Sequence, residues 1–271
     1  MKPLSNKAFD AVTRLFHQVS GIRLAESKQA LVTGRLQRLA SEAGEADLEV
    51  YVDKLLRGGA PAQELTRLID RLTTNETYFF REPQHYNDLA ERLAALPRGQ
   101  DFQVWSAASS SGEEAYSAAM LMSDVLGANG ESAPWQIIGT DLSTAMVDSA
   151  RRGLYTMERA RLVPPDYLKR FCLKGQGEQT GQVLMSRELR SRVQFEAANL
   201  MQPLPDQLPM FDVIFLRNVL IYFDHEAKTQ IVQRVLGKLK PDGVLYTGHA
   251  ESLSNLGLAL RSVATAVHGH A

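Results

Sequence analysis

The chain of 271 residues has a single cysteine, Cys172, so no internal disulfide can hold the fold and a reducing compartment is expected. With no histidine partner suggested for it, Cys172 reads as a small buried filler. No apolar run approaches the roughly 18–20 residues that span a bilayer, and the N-terminus has no apolar signal core. A soluble, cytoplasmic protein without membrane insertion is expected. Charge of one sign is also missing: 30 Lys and Arg stand against 31 Asp and Glu, net −1. That balance argues against a nucleic-acid binder, which carries a basic face. The six histidines show no ligand spacing, so no metal site is expected, and His85, His225 and His249 are placed on helix or loop surfaces. Repeats and low-complexity tracts are absent as well.

What is present falls into two patterns. Residues 1–73 carry apolar positions at helical spacing, such as Phe9, Val12, Phe16 and Val19 or Leu65, Leu68, Ile69 and Leu72. Gly21, Gly44 and Gly58-Gly59-Ala60-Pro61 punctuate them, giving an N-terminal bundle of about four helices. Thr73 or Thr74 is expected to cap a linker helix over 74–99. From 100 to 271, strand and helix alternate, which predicts an α/β domain with a mainly parallel, Rossmann-like sheet. Strands are expected near 102–105, 136–140, 193–196, 211–216 and 243–248, with an antiparallel pair between 258 and 270. Helices are expected over 113–126, 143–152 and 225–239, the last stopped by Lys240-Pro241-Asp242-Gly243. The glycine-bearing stretch 172–192 breaks this rhythm and predicts an inserted β-hairpin subdomain. Residues 1–40 hold seven basic against two acidic residues, and 41–80 four against eight. Lys28, Arg35 and Arg38 therefore offer a basic docking face, although a solvated helix face is the commoner origin of such a run.

Three apolar runs stop abruptly at polar residues: VWSAASSSGEE, IIGTD and FDVIFLRN. In an open α/β sheet such stops mark the carboxyl ends of strands, where ligands bind. Asp141 closes the second run, and a carboxylate there suits ribose hydroxyls. The turn Ser109–Gly112 lacks GxGxxG, whose glycines admit a pyrophosphate. Glu113 and Glu114 suit the positive end of a helix dipole but also favour a cation. S-adenosylmethionine, with a ribose, an ammonium, a sulfonium and no phosphate, fits this turn better than NAD.

The segments NETYFFR (75–81), SGEE, GTD, FLRNVLIYFD and GHAESL (248–253), in this order, resemble the CheR-type chemotaxis receptor methyltransferases over nearly the whole chain. One departure is a Ser for the expected Thr ahead of Gly112, which keeps the hydroxyl. The resemblance implies a class I S-adenosylmethionine-dependent domain preceded by an all-α domain. The implied activity is methyl transfer to glutamate side chains of chemoreceptors, with S-adenosylhomocysteine as product. It also implies Asn75, Thr77 and Arg81 on the cofactor side of the linker helix, and Glu114 rather than Glu113 on the methionine ammonium. Asp141 is implied for the ribose, Asn199 and Leu200 for the adenine, and Arg217 with Asn218 as the closing wall. Arg81 is the candidate for steering the acceptor carboxylate, and Tyr222 for a hydrogen bond near the reacting centre. Tyr78, Phe79 and Phe80 read as core aromatics. The implied partner is the receptor's cytoplasmic signalling domain. In some family members a C-terminal receptor pentapeptide is held at the hairpin insertion, and Gly175, Gly177 and Gly181 favour that type here. A monomer is expected. A small-molecule methyltransferase, a non-catalytic S-adenosylmethionine sensor and an NAD-dependent dehydrogenase are the rival readings.

Overall fold

The computed structural model describes residues 4–57, 61–128 and 134–271. The expected punctuation at Gly58-Gly59-Ala60 lies outside the described residues. Helix α1 (Asn6–Ser20) starts where the Ser5 hydroxyl accepts the Ala8 N–H and stops at Gly21, whose φ of 75° is the left-handed cap glycine supplies cheaply. Its apolar face, Phe9, Val12 and Phe16, packs with α2 (Gln29–Glu42), α3 (Leu48–Arg57) and α4 (Ala62–Leu72) into the expected bundle. That cluster is continuous with Trp105, Ile214, Leu216 and Leu245 on one face of the sheet. A Cβ on Gly21 would stand 2.5 Å from Met201 Cγ, so the helical part presses closely on the loop near Asn199.

The linker helix begins late. Helix α5 spans only Pro83–Ala94. Residues 74–82 are non-helical, with Phe80 at φ 55° and Glu82 at φ 54°. Two causes are visible. Pro83 disfavours helical geometry in the residue before it. The segment's backbone also bonds outward, the Phe80 N–H to Ser117 Oγ at 2.9 Å and the Arg81 carbonyl to Arg217.

Strand β1 (Phe102–Ser106) and α6 (Glu113–Ala128) follow, then β2 (Trp135–Asp141) and α7 (Thr144–Arg152). Next come β3 (Leu154–Thr156), α8 (Pro165–Phe171), β4 (Cys172–Lys174), β5 (Gln182–Met185) and α9 (Arg187–Arg192). The chain closes with β6 (Val193–Ala197), β7 (Phe211–Leu216), α10 (His225–Leu236), β8 (Leu239–Thr247), β9 (Leu260–Ala264) and β10 (Val267–His270). Among the described residues the main sheet has order β6-β2-β1-β7-β8-β10-β9, and only β10 runs against the others, antiparallel to both β8 and β9. The order reverses between β1 and β7, and ligand crevices open at the carboxyl ends beside such a reversal.

Two expectations shift in position. Lys240–Gly243 lies inside β8, where the register against β7 slips between Phe211 and Val213, and α10 stops earlier, at Leu236. The small second sheet, order β3-β5-β4, takes its first strand from 154–156, ahead of the expected insertion, while Arg187–Arg192 is helical. Strand pairing there is antiparallel, with the glycine-bearing turn 175–181 joining β4 to β5.

Candidate active site

A cavity of about 540 Å³ opens over the carboxyl ends of β1, β2, β6 and β7 and is roofed by the helical bundle and residues 72–81. Asn75, Thr77, Arg81, Glu114, Asp141, Asn199, Leu200, Arg217, Asn218 and Tyr222 all line it.

Its floor begins at the turn after β1. Ser110 sits at φ 48° and donates its N–H to Asp141 Oδ2 at 2.8 Å and its hydroxyl to the Asn75 carbonyl at 3.1 Å. Asp141 Oδ1 accepts the Ser143 N–H at 2.9 Å. Each oxygen keeps a lone pair for a further donor. Burial raises the Asp141 carboxyl to about 6, against the pull of these N–H donors, and the charge of Asp70 adds to the rise. Asp70 reaches across from α4 to accept the Ser143 hydroxyl at 2.7 Å and the Ala145 N–H at 3.3 Å. It therefore pins the start of α7, a place where a carboxylate meets unsatisfied helix N–H groups.

The two adjacent glutamates part company. Glu113 is fully buried, accepts the Ser111 hydroxyl at 2.7 Å and pairs with Arg159, away from the cavity. Glu114 faces in, accepting the Ser106 hydroxyl at 2.7 Å and the Arg217 guanidinium at 3.1 Å. Burial lifts its carboxyl above the usual range, with Arg217 opposing. Arg217, with 1% of its side chain exposed, also bonds Glu82 Oε2 at 3.2 Å and the Arg81 carbonyl. Burial pushes the Glu82 carboxyl up, but Arg217 and its His249 N–H and Asn218 amide donors outweigh that and hold it low. Two carboxylates thus share one guanidinium, and of the two it is Glu114 that lines the cavity.

Asn218, at φ 57°, donates its N–H to Glu251 Oε2 at 2.7 Å, and Glu251 also accepts the Gly248 N–H at 2.8 Å. A Cβ on Gly248 would meet Asn218 Nδ2 at 2.5 Å, so this approach requires glycine. Asn218 thus holds the loop as well as lining the cavity. Asn199 donates Nδ2 to the Val19 carbonyl at 2.8 Å, tying the rim to α1, and Leu200 is buried beside it. Arg81 is half-buried, donates to the Glu76 carbonyl at 3.2 Å and lies 5.4 Å from the Tyr78 ring centre. Tyr222 is half-buried, and burial raises its hydroxyl above its ordinary range.

Several expectations change here. Asn75, Thr77 and Arg81 stand on the extended segment, not on a helix, because 74–82 bonds outward. Phe79 is buried as expected, but Tyr78 is 39% exposed and lines the cavity. His85 is buried rather than on a surface, stacked on Tyr246 with ring centres 4.9 Å apart, and burial lowers it to about 4. Its donor atoms, with those of Glu82 and His249, lie within 4.8 Å of one another. Arg217 already occupies that carboxylate, so an added cation would meet an existing positive charge. Cys172 is half-buried against Met185 rather than fully enclosed. Arg35 donates to the carbonyls of Leu72 at 2.9 Å and Thr73 at 3.0 Å, so it fastens α2 to the end of α4 and is not free for docking. Glu82, Asp70 and Glu251 were not assigned a role from sequence. Only the pairing of Glu82 with Pro83, and the place of Glu251 within GHAESL, hinted at them.

The sheet order, the acid closing β2 and the acidic start of α6 define the class: a Rossmann-like, S-adenosylmethionine-dependent methyltransferase. Residues 75–267 match the family described as CheR methyltransferase, SAM binding domain, and residues 7–73 match the CheR methyltransferase all-alpha domain. The chain belongs to the CheR methyltransferase family. It is 38% identical over 255 residues to the chemotaxis protein methyltransferase of Salmonella typhimurium, covering 93% of this chain and 86% of that one. Identity to the Escherichia coli chemotaxis protein methyltransferase is also 38%, covering 93% and 87%. Chemotaxis protein methyltransferase 2 of Pseudomonas aeruginosa is 36% identical over 276 residues, covering 97% and 92%.

Proposed function

We infer that this protein transfers a methyl group from S-adenosylmethionine to glutamate side chains of chemoreceptors, giving methyl esters that serve chemotactic adaptation. The observation that carries the reading is the cavity's donor set. A buried acid held by backbone N–H groups, Asp141, stands at one end, and Glu114, paired with Arg217, at the other. Those ends suit a ribose diol and an ammonium respectively, and no phosphate cradle lies between them. Glu114 would hold the methionine ammonium, Asp141 the ribose, and Asn199 with Leu200 the adenine, while Asn75, Thr77, Arg217 and Asn218 complete the walls.

The cofactor supplies an activated methyl on a sulfonium. An acceptor glutamate with a reference pKa of about 4.3 is already the nucleophilic carboxylate near pH 7, so the chain needs no general base. Its residues align and dehydrate the acceptor, and positioning of that kind can supply roughly 7–11 kcal/mol. Arg81 would steer the acceptor carboxylate, since its planar fork matches one. A loose grip serves better, because stabilising the free carboxylate equally would slow transfer. Tyr222 would donate near the reacting atoms. Arg81→Ala should lower turnover more than S-adenosylhomocysteine affinity. A parallel loss of both in calorimetry and kinetics would make Arg81 a cofactor ligand.

Among the described residues no helix is long and apolar enough to cross a membrane. The proposed setting is the cytoplasm, where a monomer would act on the receptor's signalling domain. The small sheet offers two edge strands, β3 and β4, with Leu154 40% and Leu173 59% exposed. An extended receptor pentapeptide would add to such an edge by main-chain hydrogen bonds. Calorimetry with chemoreceptor C-terminal peptides tests this, and no binding below about 100 μM, roughly −5.5 kcal/mol, would remove the tether.

A further inference from the structure

Arg159 lies outside the cavity, on the short turn Arg159–Leu162 that follows β3, yet it reaches the turn on which the cavity floor depends. Its guanidinium donates to Ser111 Oγ at 3.1 Å and pairs with Glu113, and Ser111 Oγ donates in turn to Glu113 Oε2 at 2.7 Å. From β3 itself, the Tyr155 hydroxyl donates to the Ser111 carbonyl at 2.7 Å. The neighbouring Gly112 has φ 96°, and a Cβ there would stand 3.0 Å from the Tyr155 hydroxyl and 2.9 Å from Ala150 Cβ. The small sheet therefore grips both the backbone and the side chain of Ser111.

That grip matters because Ser110, just before it, and Glu114, three residues after it, line the cavity. Ser110, held at φ 48°, turns its N–H onto Asp141, and a non-glycine residue keeps such a conformation only where its surroundings impose it. Glu113 is a fully buried carboxylate at the first turn of α6. Among the described residues Arg159 is the cation paired with it. Without that partner the carboxyl, which burial already pushes up, would either take up a proton or draw the turn open to hydrate its charge, and both change the bonds that hold Ser111. Glu114, one residue on, would move with it.

We propose that Arg159 and Tyr155 are positioning residues for the cofactor site. From the small sheet they fix the Ser109–Gly112 turn, so that Ser110 orients Asp141 and Glu114 faces the ammonium. The inference rests on reading this cavity as the S-adenosylmethionine site. It gives the small sheet a part in cofactor affinity that is separate from any peptide held at its edges.

The test compares Arg159→Met, Arg159→Lys, Tyr155→Phe and Arg159→Met/Glu113→Gln with the full wild-type chain. S-adenosylhomocysteine affinity is read by calorimetry, both KM values and kcat from methylation of receptor-containing membranes, and folding from urea transitions. Arg159→Met should weaken S-adenosylhomocysteine about 5- to 50-fold, as expected for losing hydrogen bonds to a charged group, and raise KM for S-adenosylmethionine alike. Its kcat and its KM for receptor should stay within about twofold, a split that a general loss of structure would not give. Arg159→Lys should recover part of the loss. The double variant should bind better than Arg159→Met alone, since the stranded charge is gone. Tyr155→Phe, which removes one hydroxyl, should lose about 2- to 5-fold and decides the matter if Arg159→Met does not fold. Folded variants with wild-type affinity overturn the proposal. A wild-type chain that does not bind S-adenosylhomocysteine overturns the reading of the cavity itself, and the proposal with it.

Discussion

The two ends of the cavity hold their carboxylates by different means. At the proposed ammonium end, Glu114 and Glu82 share the buried guanidinium of Arg217, so charge is answered by charge. At the proposed ribose end, Asp141 is held among the described residues by backbone N–H groups, those of Ser110 and Ser143 among them, with Asp70 on the other side of Ser143. The first arrangement makes the fold depend on the network, with the Glu114 carboxylate at the cavity wall. The second leaves a costly buried acid, lifted to about 6, whose charge is best used when a ligand donates to it. Removing Arg217, the cation that two carboxylates share, should therefore cost stability, whereas neutralising a single carboxylate at either end should mainly cost affinity.

The largest effect expected is from Arg217→Met. Breaking a buried pair on one side leaves uncompensated charge and typically costs about 3–5 kcal/mol, here with two carboxylates stranded. A urea transition shifted by less than about 1 kcal/mol would show that the network is better hydrated than its burial implies. Glu114→Gln and Asp141→Asn sharpen the contrast. Each should weaken S-adenosylhomocysteine by about 1–3 kcal/mol, the range for hydrogen bonds to charged groups, in a chain that still folds.

The ends should also differ in pH response. Because the Asp141 carboxyl is raised, it gains its proton as pH falls through about 6, and ribose hydroxyls then lose an acceptor. Affinity for S-adenosylhomocysteine should fall below that pH, by at most about tenfold per unit. The same raised value means that ionising Asp141 works against the apo fold: this contribution to stability is full below the unfolded value near 3.9 and lost as pH rises through about 6. Ligand affinity and apo stability should thus move in opposite directions across pH 4–6 for this one group. An Asp141→Asn variant that keeps the wild-type pH profile of binding would assign the titration elsewhere.

How much of this was legible in the sequence depended on whether a residue's role is local. Asp141, Glu114, Arg217 and Asn218 stand where apolar runs stop, and a strand's end can be read from its own few residues. The stretch 74–82 has equally marked residues, but its shape comes from contacts with Ser117 and Arg217, far away in the chain, so a helix was the wrong expectation. Glu82 and Asp70 escaped notice for the same reason, since each acts on an element that follows after a long interval. The basic helix face divides in the same way. Lys28 lines the cavity and Arg38 is exposed, but Arg35 is engaged with the ends of α4.

The smallest effect expected follows from that division. Reversing Arg38, with Lys28 and Arg35 left in place, should raise KM for receptor about twofold at low salt and reduce its salt dependence, leaving S-adenosylhomocysteine affinity unchanged. Wild-type receptor kinetics in that variant would make this face ordinary solvated surface.

Methyl esterification of receptor glutamates is tested by transfer of a tritiated methyl group from S-adenosylmethionine to receptor-containing membranes, followed by mild base. Label should appear on the receptor and be released as methanol, as a glutamate methyl ester requires, and Glu114→Gln should lower the yield at limiting cofactor. No label on receptor, or label that survives base, would contradict it.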